Sequence, residues 1–435
     1  MSKFRLAAGI LFLTMFFSAQ IALSLNTDAI AKAQYVGSKA CEKCHVRIYT
    51  GWTETLHTKK IQQANEYTVV GDFTNNNKLT IEKDGKKFVT SMTKKDGKFY
   101  INTYGPDGKA QEYLIGYTIG GTWQQRYMTI FPNGAYKVLP VQWNVKTGEW
   151  VDYRGLKTAA PGSGKYWSDK ANTWQTQCGS CHVTNLEFAY DEKNDTYKDT
   201  KWNDNGAGCE ACHGPGSRHI EAATDTEKRE AIINPRKLPT FVGAMICGQC
   251  HARGVSTDGK YEYPKGFRPG KMLTEYFVEK PVVWPNGSSK CNAQQYSDWK
   301  KSGHANYGVN CWTCHEVHRK GVTERYSLKS SGWSVCLSCH SGETDKSERS
   351  IHSLHGVIGC ATCHMPRTAQ SALPNDISDH SFRVILPQES INKGGTDKQP
   401  NSCNLCHYHK NDSPEALVKF LKRIKKDSYG PAKKR

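Results

Sequence analysis

Residues 178–182 of this chain read CGSCH, and residues 209–213 read CEACH. The same pattern, two cysteines separated by two residues and followed directly by histidine, occurs eight times in the 435 residues and uses sixteen of the 17 cysteines. The eight copies are Cys41, Cys44, His45; Cys178, Cys181, His182; Cys209, Cys212, His213; Cys247, Cys250, His251; Cys311, Cys314, His315; Cys336, Cys339, His340; Cys360, Cys363, His364; and Cys403, Cys406, His407.

C-x-x-C-H is the attachment pattern of haem c. Two thiols one helical turn apart can form thioethers with the vinyl groups at one porphyrin edge, and the next histidine is placed under the iron as its proximal ligand. A single C-x-x-C pair could equally be half of a zinc site or a redox dithiol. Neither of these requires a histidine after every second cysteine, so the repeated pattern predicts eight covalently attached haems c.

The amino-acid composition indicates that apolar side chains alone would not fill the core. Only 37% of the residues are hydrophobic, which is few for a chain of this length. We therefore expect a multihaem cytochrome fold, mainly short α-helices and loops wrapped around stacked haems. The formal net charge is +18, and basic proteins often bind nucleic acid. Eight haems would bring sixteen propionates, so we expect the basic side chains to balance these groups and expect no nucleic-acid partner.

Residues 1–33 resemble a signal peptide. A basic start at Lys3 and Arg5 precedes an apolar run from Leu6 to Phe17, and residues 31–33 read AKA, a cleavage signal. An uncleaved anchor is the alternative, but a spanning helix needs roughly 20 predominantly apolar residues. The sequence predicts an exported, periplasmic or extracellular protein with no transmembrane segment in the mature chain.

The stretch between His57 and Cys178 contains neither cysteine nor histidine. Runs of β-branched and aromatic residues there are separated by turn signals such as Asp84-Gly85 and Asn133-Gly134, which predicts an inserted small antiparallel β-domain over residues 68–165. The other predicted segments are a first haem segment (34–67), a module for haems 2–4 (166–255), a module for haems 5–8 (256–410) and a basic C-terminal helix and tail (411–435).

Eight histidines remain once the proximal ligands are assigned, one for each haem. Two imidazoles on one iron leave no open coordination site, and such haems transfer electrons without binding substrate. We expect six to eight of these histidines to be distal ligands, and a surface position is the alternative for His409. The eight are His57, His219, His304, His318, His352, His355, His380 and His409.

Several motifs resemble a known family. GSKACEKCHVRIYTGWTETLHTK (37–59), QCGSCHVTNLEF (177–188), GCEACHGPGSRH (208–219) and ICGQCH (246–251) are similar to successive haem segments of the tetrahaem cytochrome c-554 family of ammonia oxidisers. A broader set of bacterial multihaem cytochromes, some fused to tetratricopeptide repeats, resembles the chain in YLIGYTIGGTWQQRYMTIFPNG (113–134), SGHANYGVNCWTCHEVH (302–318) and CATCHMPRTAQ (360–370).

The resemblance has implications for individual residues. It implies distal-ligand roles for His57, His219, His304, His318 and His380, and His355 precedes the seventh motif in the same manner. Relatives often have another residue at the position of His409. The c-554 type keeps one haem five-coordinate, which implies that one of the first four haems here has an open face.

Two functions are consistent with these features. The first is electron transfer between a redox donor and an acceptor, either alone or as a subunit of a self-associating haem filament. The second is an oxidoreductase that acts on small nitrogen or sulfur compounds at a five-coordinate haem. No C-x-x-C-K variant occurs, and the spare histidines are numerous enough to fill every site. We therefore favour electron transfer and assign no catalytic residue.

Two features are left over. We expect the β-domain to be a docking surface for a partner. Cys291, the one cysteine outside the motifs, is expected to be a buried free thiol, with an intermolecular disulfide or an iron ligand as alternatives.

Overall fold

The structure, a computed structural model, describes residues 32–323, 326–341, 351–355 and 358–428. Nearly all of the predicted signal peptide and the last seven residues of the basic tail lie outside these ranges. Among the described residues, no helix has the length and apolar character needed to cross a membrane.

The strands are concentrated in the first two thirds of the described chain, and every pairing among them is antiparallel. They are β1 (Ile61–Gln63), β2 (Lys78–Lys83), β3 (Lys86–Lys95), β4 (Lys98–Tyr104), β5 (Ala110–Leu114), β6 (Tyr117–Gly120), β7 (Gln124–Ile130), β8 (Tyr136–Asn144), β9 (Glu149–Asp152), β10 (Val183–Thr184), β11 (Glu187–Asp191), β12 (Thr196–Lys201), β13 (Asp204–Asn205), β14 (Gly254–Ser256) and β15 (Phe277–Glu279).

Strands β2 to β5 form a four-stranded sheet in chain order. The β2–β3 connection is Asp84-Gly85, with φ of 50° and 71°, and the β3–β4 connection is Asp96-Gly97, with φ of 48° and 71°. Positive φ at both central residues matches the twist of the flanking strands, and Asp-Gly tolerates it. The local sequence therefore fixes both hairpins.

The second sheet has the order β1-β6-β7-β8-β9. Its edge strand β1 pairs Ile61 with Ile119, so the sheet recruits residues that precede the predicted boundary at residue 68. The two sheets share a hydrophobic core that includes Met92, Ile101 and Leu139, all fully buried. This core is made of side chains from both sheets.

Lys137 is buried in β8 at 3% exposure, and its ammonium donates to the Asp169 carbonyl and the Thr173 hydroxyl, both at 2.8 Å. Burial lowers its pKa from 10.5 to about 8. The unfolded chain keeps this proton up to the higher value, so the free energy of unfolding should rise as pH increases from about 8 to 10. We expect Lys137→Met to abolish that rise in urea titrations at pH 8 and 10, and an unchanged slope would contradict this.

The helices are short, and most carry or flank an attachment motif. They are α1 (Ser38–Glu42), α2 (Val46–Thr53), α3 (Trp174–Gln177), α4 (Gly179–His182), α5 (Cys209–His213), α6 (Ser217–Glu221), α7 (Asp225–Glu230), α8 (Thr240–His251), α9 (Gln295–Trp299), α10 (Gly303–Asn306), α11 (Cys311–Cys314), α12 (Ser334–Leu337), α13 (Ile351–Leu354), α14 (Cys360–His364), α15 (Pro387–Asn392) and α16 (Pro414–Ser428).

Helix α16 begins at the pair Ser413-Pro414. The Ser413 hydroxyl accepts a hydrogen bond from the Ala416 amide at 3.2 Å, Pro414 occupies the first turn, and Leu417 is buried. The cap satisfies an amide that the helix itself leaves without a partner.

Candidate haem-binding site

Residues of all eight attachment motifs line one continuous cavity of about 3910 Å³. Ordinary ligand pockets measure roughly 300–1,000 Å³, so this cavity is several times larger than a site for one small molecule. Its walls come from the short helices and from the inner face of the β1-β6-β7-β8-β9 sheet, which contributes Gln62, Ile119, Arg126 and Gln142.

Neighbouring motifs interact through their cysteine side chains. Cys41 of motif 1 interacts with Cys209 of motif 3, and this contact raises the pKa of the Cys41 thiol. Cys250 of motif 4 interacts in the same way with Cys181 of motif 2, and Cys247 interacts with Cys311 of motif 5. Motif 4 therefore lies between motifs 2 and 5.

The remaining motifs continue this order. Cys212 of motif 3 lies within electrostatic range of Cys250 of motif 4, and Cys314 of motif 5 within range of Cys339 of motif 6. Motif 6 similarly meets motif 7 through Cys336 and Cys360, and motif 7 meets motif 8 through Cys363 and Cys406. The motifs thus follow the spatial order 1-3-4-5-6-7-8, and motif 2 joins this row beside motif 4.

Five motif histidines face a second histidine at a common distance. The ring centres are 6.0 or 6.3 Å apart in the pairs His45–His219, His213–His318, His304–His340, His315–His380 and His352–His364.

That distance has a chemical meaning. A metal–nitrogen bond of about 2.0 Å on each side, plus roughly 1.1 Å from each nitrogen to its ring centre, separates two imidazoles on opposite sides of one metal by about 6.2 Å. The five pairs therefore fit an iron held between two histidines. The spacing of the histidines and the size of the cavity therefore both fit bound haem c.

Motif 4 has a sixth candidate pair. His251 and His57 lie within electrostatic range of each other. Burial lowers the pKa of His57 to about 3 and that of His251 to about 4. Both imidazoles are therefore neutral at pH 7, which is the form that binds a metal.

Motif 2 differs from the others. His182 directs Nδ1 at the Lys60 carbonyl, at 3.3 Å, which leaves Nε2 for a metal. Among the described residues, no ring pair joins His182 to a second histidine, whereas six of the other motif histidines have a partner. The Lys60 ammonium is enclosed near Cys181 and Cys250, and burial lowers its pKa.

Two histidines outside the attachment motifs lie together near motif 8, one from the segment before motif 7 and one from the segment after motif 8. His355 and His409 have ring centres 6.1 Å apart, while the rings of His407 and Tyr408 contact each other at a tilt of 39°, with centres 3.9 Å apart. Asp412 accepts from Nδ1 of His409 at 2.8 Å, an arrangement that commonly orients metal-binding histidines. His409 therefore has neighbours that would suit a ligand, and both its ligand role and the alternative surface role stay predictions.

Backbone carbonyls orient many of the other imidazoles. Nδ1 of His213 lies 2.8 Å from the Ile233 carbonyl and Nδ1 of His219 lies 2.7 Å from the Lys228 carbonyl. Nδ1 of His315 lies 2.8 Å from the Tyr326 carbonyl. Each contact frees Nε2 for a metal and fixes the ring orientation.

Sequence reasoning missed polar residues that the inserted sheet brings to the cavity. Arg126 in β7, Lys60 just before β1, and Tyr153 and Arg154 just after β9 line the cavity beside motif 2, and the pairing of the strands places them there. Cys291 also lines the cavity. It is half-buried rather than fully buried, and it forms no disulfide.

Gly206 lets the segment that carries His57 pack against motif 3. Its φ is +78°, and a Cβ there would lie 1.8 Å from the His57 carbonyl oxygen. We expect Gly206→Ala to destabilise the fold by at least about 2 kcal/mol, since positive φ is costly for alanine and the clash adds to that cost. His57 should be displaced and one high-spin haem should appear in the electron paramagnetic resonance spectrum.

Gly287, with φ of +85° and no atom within 4 Å of a built Cβ, is the matched control for this substitution. Gly287→Ala should destabilise less and leave the spectrum unchanged. If both variants behaved alike, the contact with His57 would not be what makes glycine necessary at position 206.

The repeated attachment motifs and the paired imidazoles around one cavity define a multihaem c-type cytochrome with covalently bound haem c. The family model for cytochrome c554 and c-prime matches residues 40–105 and 152–214, and the doubled CXXCH motif matches residues 304–345. The first match confirms the similarity to the c-554 family seen in the sequence. The stretch it omits, 106–151, contains strands β5 to β8 and part of β9.

Two known proteins are similar to the chain. Multiheme cytochrome MtrA of Shewanella baltica (strain OS185) is 26% identical over 166 residues, which are 37% of this chain and 36% of that protein. The chain thus matches little more than a third of the length of this curated relative. The outer cell wall cytochrome OcwA has the same fold, with a TM-score of 0.63 and 22% identity over 89% of this chain and 86% of that one.

Proposed function

We propose that this protein is an exported octahaem cytochrome that carries electrons between a redox donor and an acceptor. The observation that carries the proposal is the set of five histidine pairs at 6.0–6.3 Å in a cavity lined by all eight motifs. When bound, haem c would supply one-electron oxidation and reduction of iron.

The chain contributes position and axial ligation. Each cysteine pair fixes one porphyrin edge, and the contacts between cysteines of neighbouring motifs would bring successive edges together. We assign His219, His318, His57, His380, His304 and His352 as distal ligands for motifs 1, 3, 4, 5, 6 and 7 respectively. One of His355 and His409 would be the distal ligand of motif 8, opposite His407.

The order of motifs supports a path with defined ends. Motifs 1 and 8 each interact with one neighbour in the described chain, whereas motif 4 interacts with three. Donor and acceptor would therefore exchange electrons at opposite ends of the row. End-to-end association of copies would extend it into a filament.

A second candidate function rests on motif 2. His182 has no described histidine partner, and the resemblance to the c-554 family implies one five-coordinate haem among the first four. An open iron face there could bind a small nitrogen or sulfur compound. This oxidoreductase activity would occur on the branch beside motif 4.

Two measurements on the purified holoprotein test the proposal. Intact mass spectrometry after denaturation should give eight covalent haems, and electron paramagnetic resonance of the oxidised protein should show seven or eight low-spin haems. Fewer than eight covalent haems, or several high-spin signals, would contradict an octahaem electron carrier. One high-spin signal that shifts on adding hydroxylamine would support the second candidate.

Size-exclusion chromatography with light scattering, followed by electron microscopy, tests self-association. Ordered fibres with a haem-sized repeat along the axis would support a filament. A monodisperse single copy at every concentration would contradict it and leave the electron-carrier proposal intact.

A further inference from the structure

A cationic cluster faces the cavity from the inserted sheet. The Arg126 guanidinium in β7 stacks on the Tyr153 ring at 3.7 Å, and Arg154 lies 5.4 Å from the same ring. Nε of Arg126 donates to the Gln142 side chain at 2.8 Å, and Arg154 donates to the Asn172 side chain at 2.9 Å. The cationic cluster consists of Arg126, Tyr153 and Arg154, and all three residues line the cavity.

The cluster lacks a neutralising carboxylate. Within the part of the chain that the structure describes, neither Arg126 nor Arg154 forms a salt bridge, and Glu262 acts on Arg154 only through longer-range electrostatics. Burial and the second arginine lower the pKa of Arg126, and Arg253 adds to the positive potential. Although burial opposes it, Tyr153 and the Cys178 sulfur raise the pKa of Arg154. Both guanidiniums are half-buried, and a bound anion would reduce the cost of placing two positive charges close together there.

The cluster lies beside motif 2. Arg126 and Arg154 both lie within electrostatic range of the Cys178 sulfur, and Tyr153 packs in the same hydrophobic cluster as Cys178. Arg126 also lies within electrostatic range of His182. The cationic side chains are therefore placed next to motif 2, whose histidine has no histidine partner among the described residues.

The hydrogen-bond donors of the cationic cluster indicate what kind of ligand it would bind. Each guanidinium has donors in a planar fork that fits two oxygens of one anion. Gln142 uses one donor of Arg126, while Asn172 and the Tyr153 hydroxyl oxygen use donors of Arg154. The Tyr153 hydroxyl adds a further donor. Such a site suits a small oxyanion with two or more oxygens.

We propose that Arg126, Tyr153 and Arg154 form a binding site for a small oxyanion beside the motif 2 haem, an inference that rests on the proposed octahaem function. A haem propionate has the same carboxylate chemistry and could come from a neighbouring porphyrin. The motif 2 haem is a poor source because its thioethers fix the vinyl edge at Cys178 and Cys181, and its propionates leave from the opposite edge.

Nitrite is the probe, added to the oxidised holoprotein and followed by calorimetry and by the high-spin electron paramagnetic resonance signal. We expect saturable binding of one nitrite per chain, weakened at least tenfold in both Arg126→Gln and Arg154→Gln. Arg423→Gln, an exposed arginine on α16 far along the chain from the cluster, is the control and should bind as the parent does.

Haem content and far-UV circular dichroism establish that each variant is folded and fully loaded. Absence of nitrite binding to the parent protein, or equal affinity in all variants, would overturn the oxyanion site. Altered midpoint potential of one haem in Arg126→Gln without any change in nitrite affinity would instead identify a propionate as the occupant. Both results are separate from the haem count, on which the proposed function depends.

Discussion

Glu210→Ala is expected to destabilise the protein by about 3 kcal/mol. The Glu210 carboxylate is 1% exposed and accepts hydrogen bonds from three backbone amides, those of Val36, Gly37 and Gly216, at 2.7–3.1 Å. Truncation would leave these enclosed N–H groups without an acceptor, and each such group costs about 1–3 kcal/mol before water compensates. Chemical denaturation followed by circular dichroism would measure the loss.

Glu210 also connects two motifs. It holds the chain just before motif 1 against the helix of motif 3, where Ser38 donates to Asp204 and accepts from the Cys209 amide. Glu230→Ala, at an exposed position that ends α7, is the control and should change the unfolding free energy by less than about 0.5 kcal/mol. Equal effects of the two substitutions would show that the buried carboxylate has no special role.

His219→Ala is expected to convert one haem from low spin to high spin, with no change in the number of attached haems. His219 faces His45 with ring centres 6.0 Å apart, and its Nδ1 contact with the Lys228 carbonyl directs Nε2 toward the motif. Removing the imidazole opens one coordination position. Quantitative electron paramagnetic resonance should give one high-spin signal per chain.

His219→Met is the informative companion variant. A thioether can replace the imidazole as the sixth ligand, and histidine–methionine ligation raises the reduction potential. We expect a low-spin spectrum with one haem titrating at a higher potential. An unaltered spectrum in His219→Ala would show that motif 1 takes its second ligand from elsewhere.

The local features were the predictable ones. The motif spacing identifies the attachment chemistry without any fold, and Asp84-Gly85 and Asp96-Gly97 form the tight turns that their residue types favour. Helix α16 begins at the Ser413 cap for the same reason. Each of these outcomes depends on residues within one or two turns of chain.

The pairing of histidines was not predictable in this way. His45 meets His219 and His213 meets His318, although each pair is separated by more than one hundred residues that carry other motifs. The partner is selected by how the short helices pack, and no local pattern encodes that packing. The resemblance to known cytochromes identified candidate ligands but not their motifs.

The sequence after motif 8 contains a local pattern from which the orientation of His409 could have been predicted. Asp412 follows His409 by three residues, and a carboxylate at that spacing can orient an imidazole in a turn. Arg126 and Arg154 offered no comparable signal. Their approach to Cys178 depends on strand pairing between β7, β8 and β9 and on where the sheet lies against motif 2.

Because motif 2 lies beside the row of motifs, a change in its haem would affect the proposed electron path differently from a change in a haem within the row. Electron transfer through haems in series is limited by the slowest step, so an altered potential at motif 4 or 5 would slow transfer between the two ends of the row. The motif 2 haem would lie outside this series and would exchange electrons only with the motif 4 haem, so it would store electrons without conducting them from end to end. Its potential and surroundings can therefore diverge between related proteins while conduction from end to end is preserved.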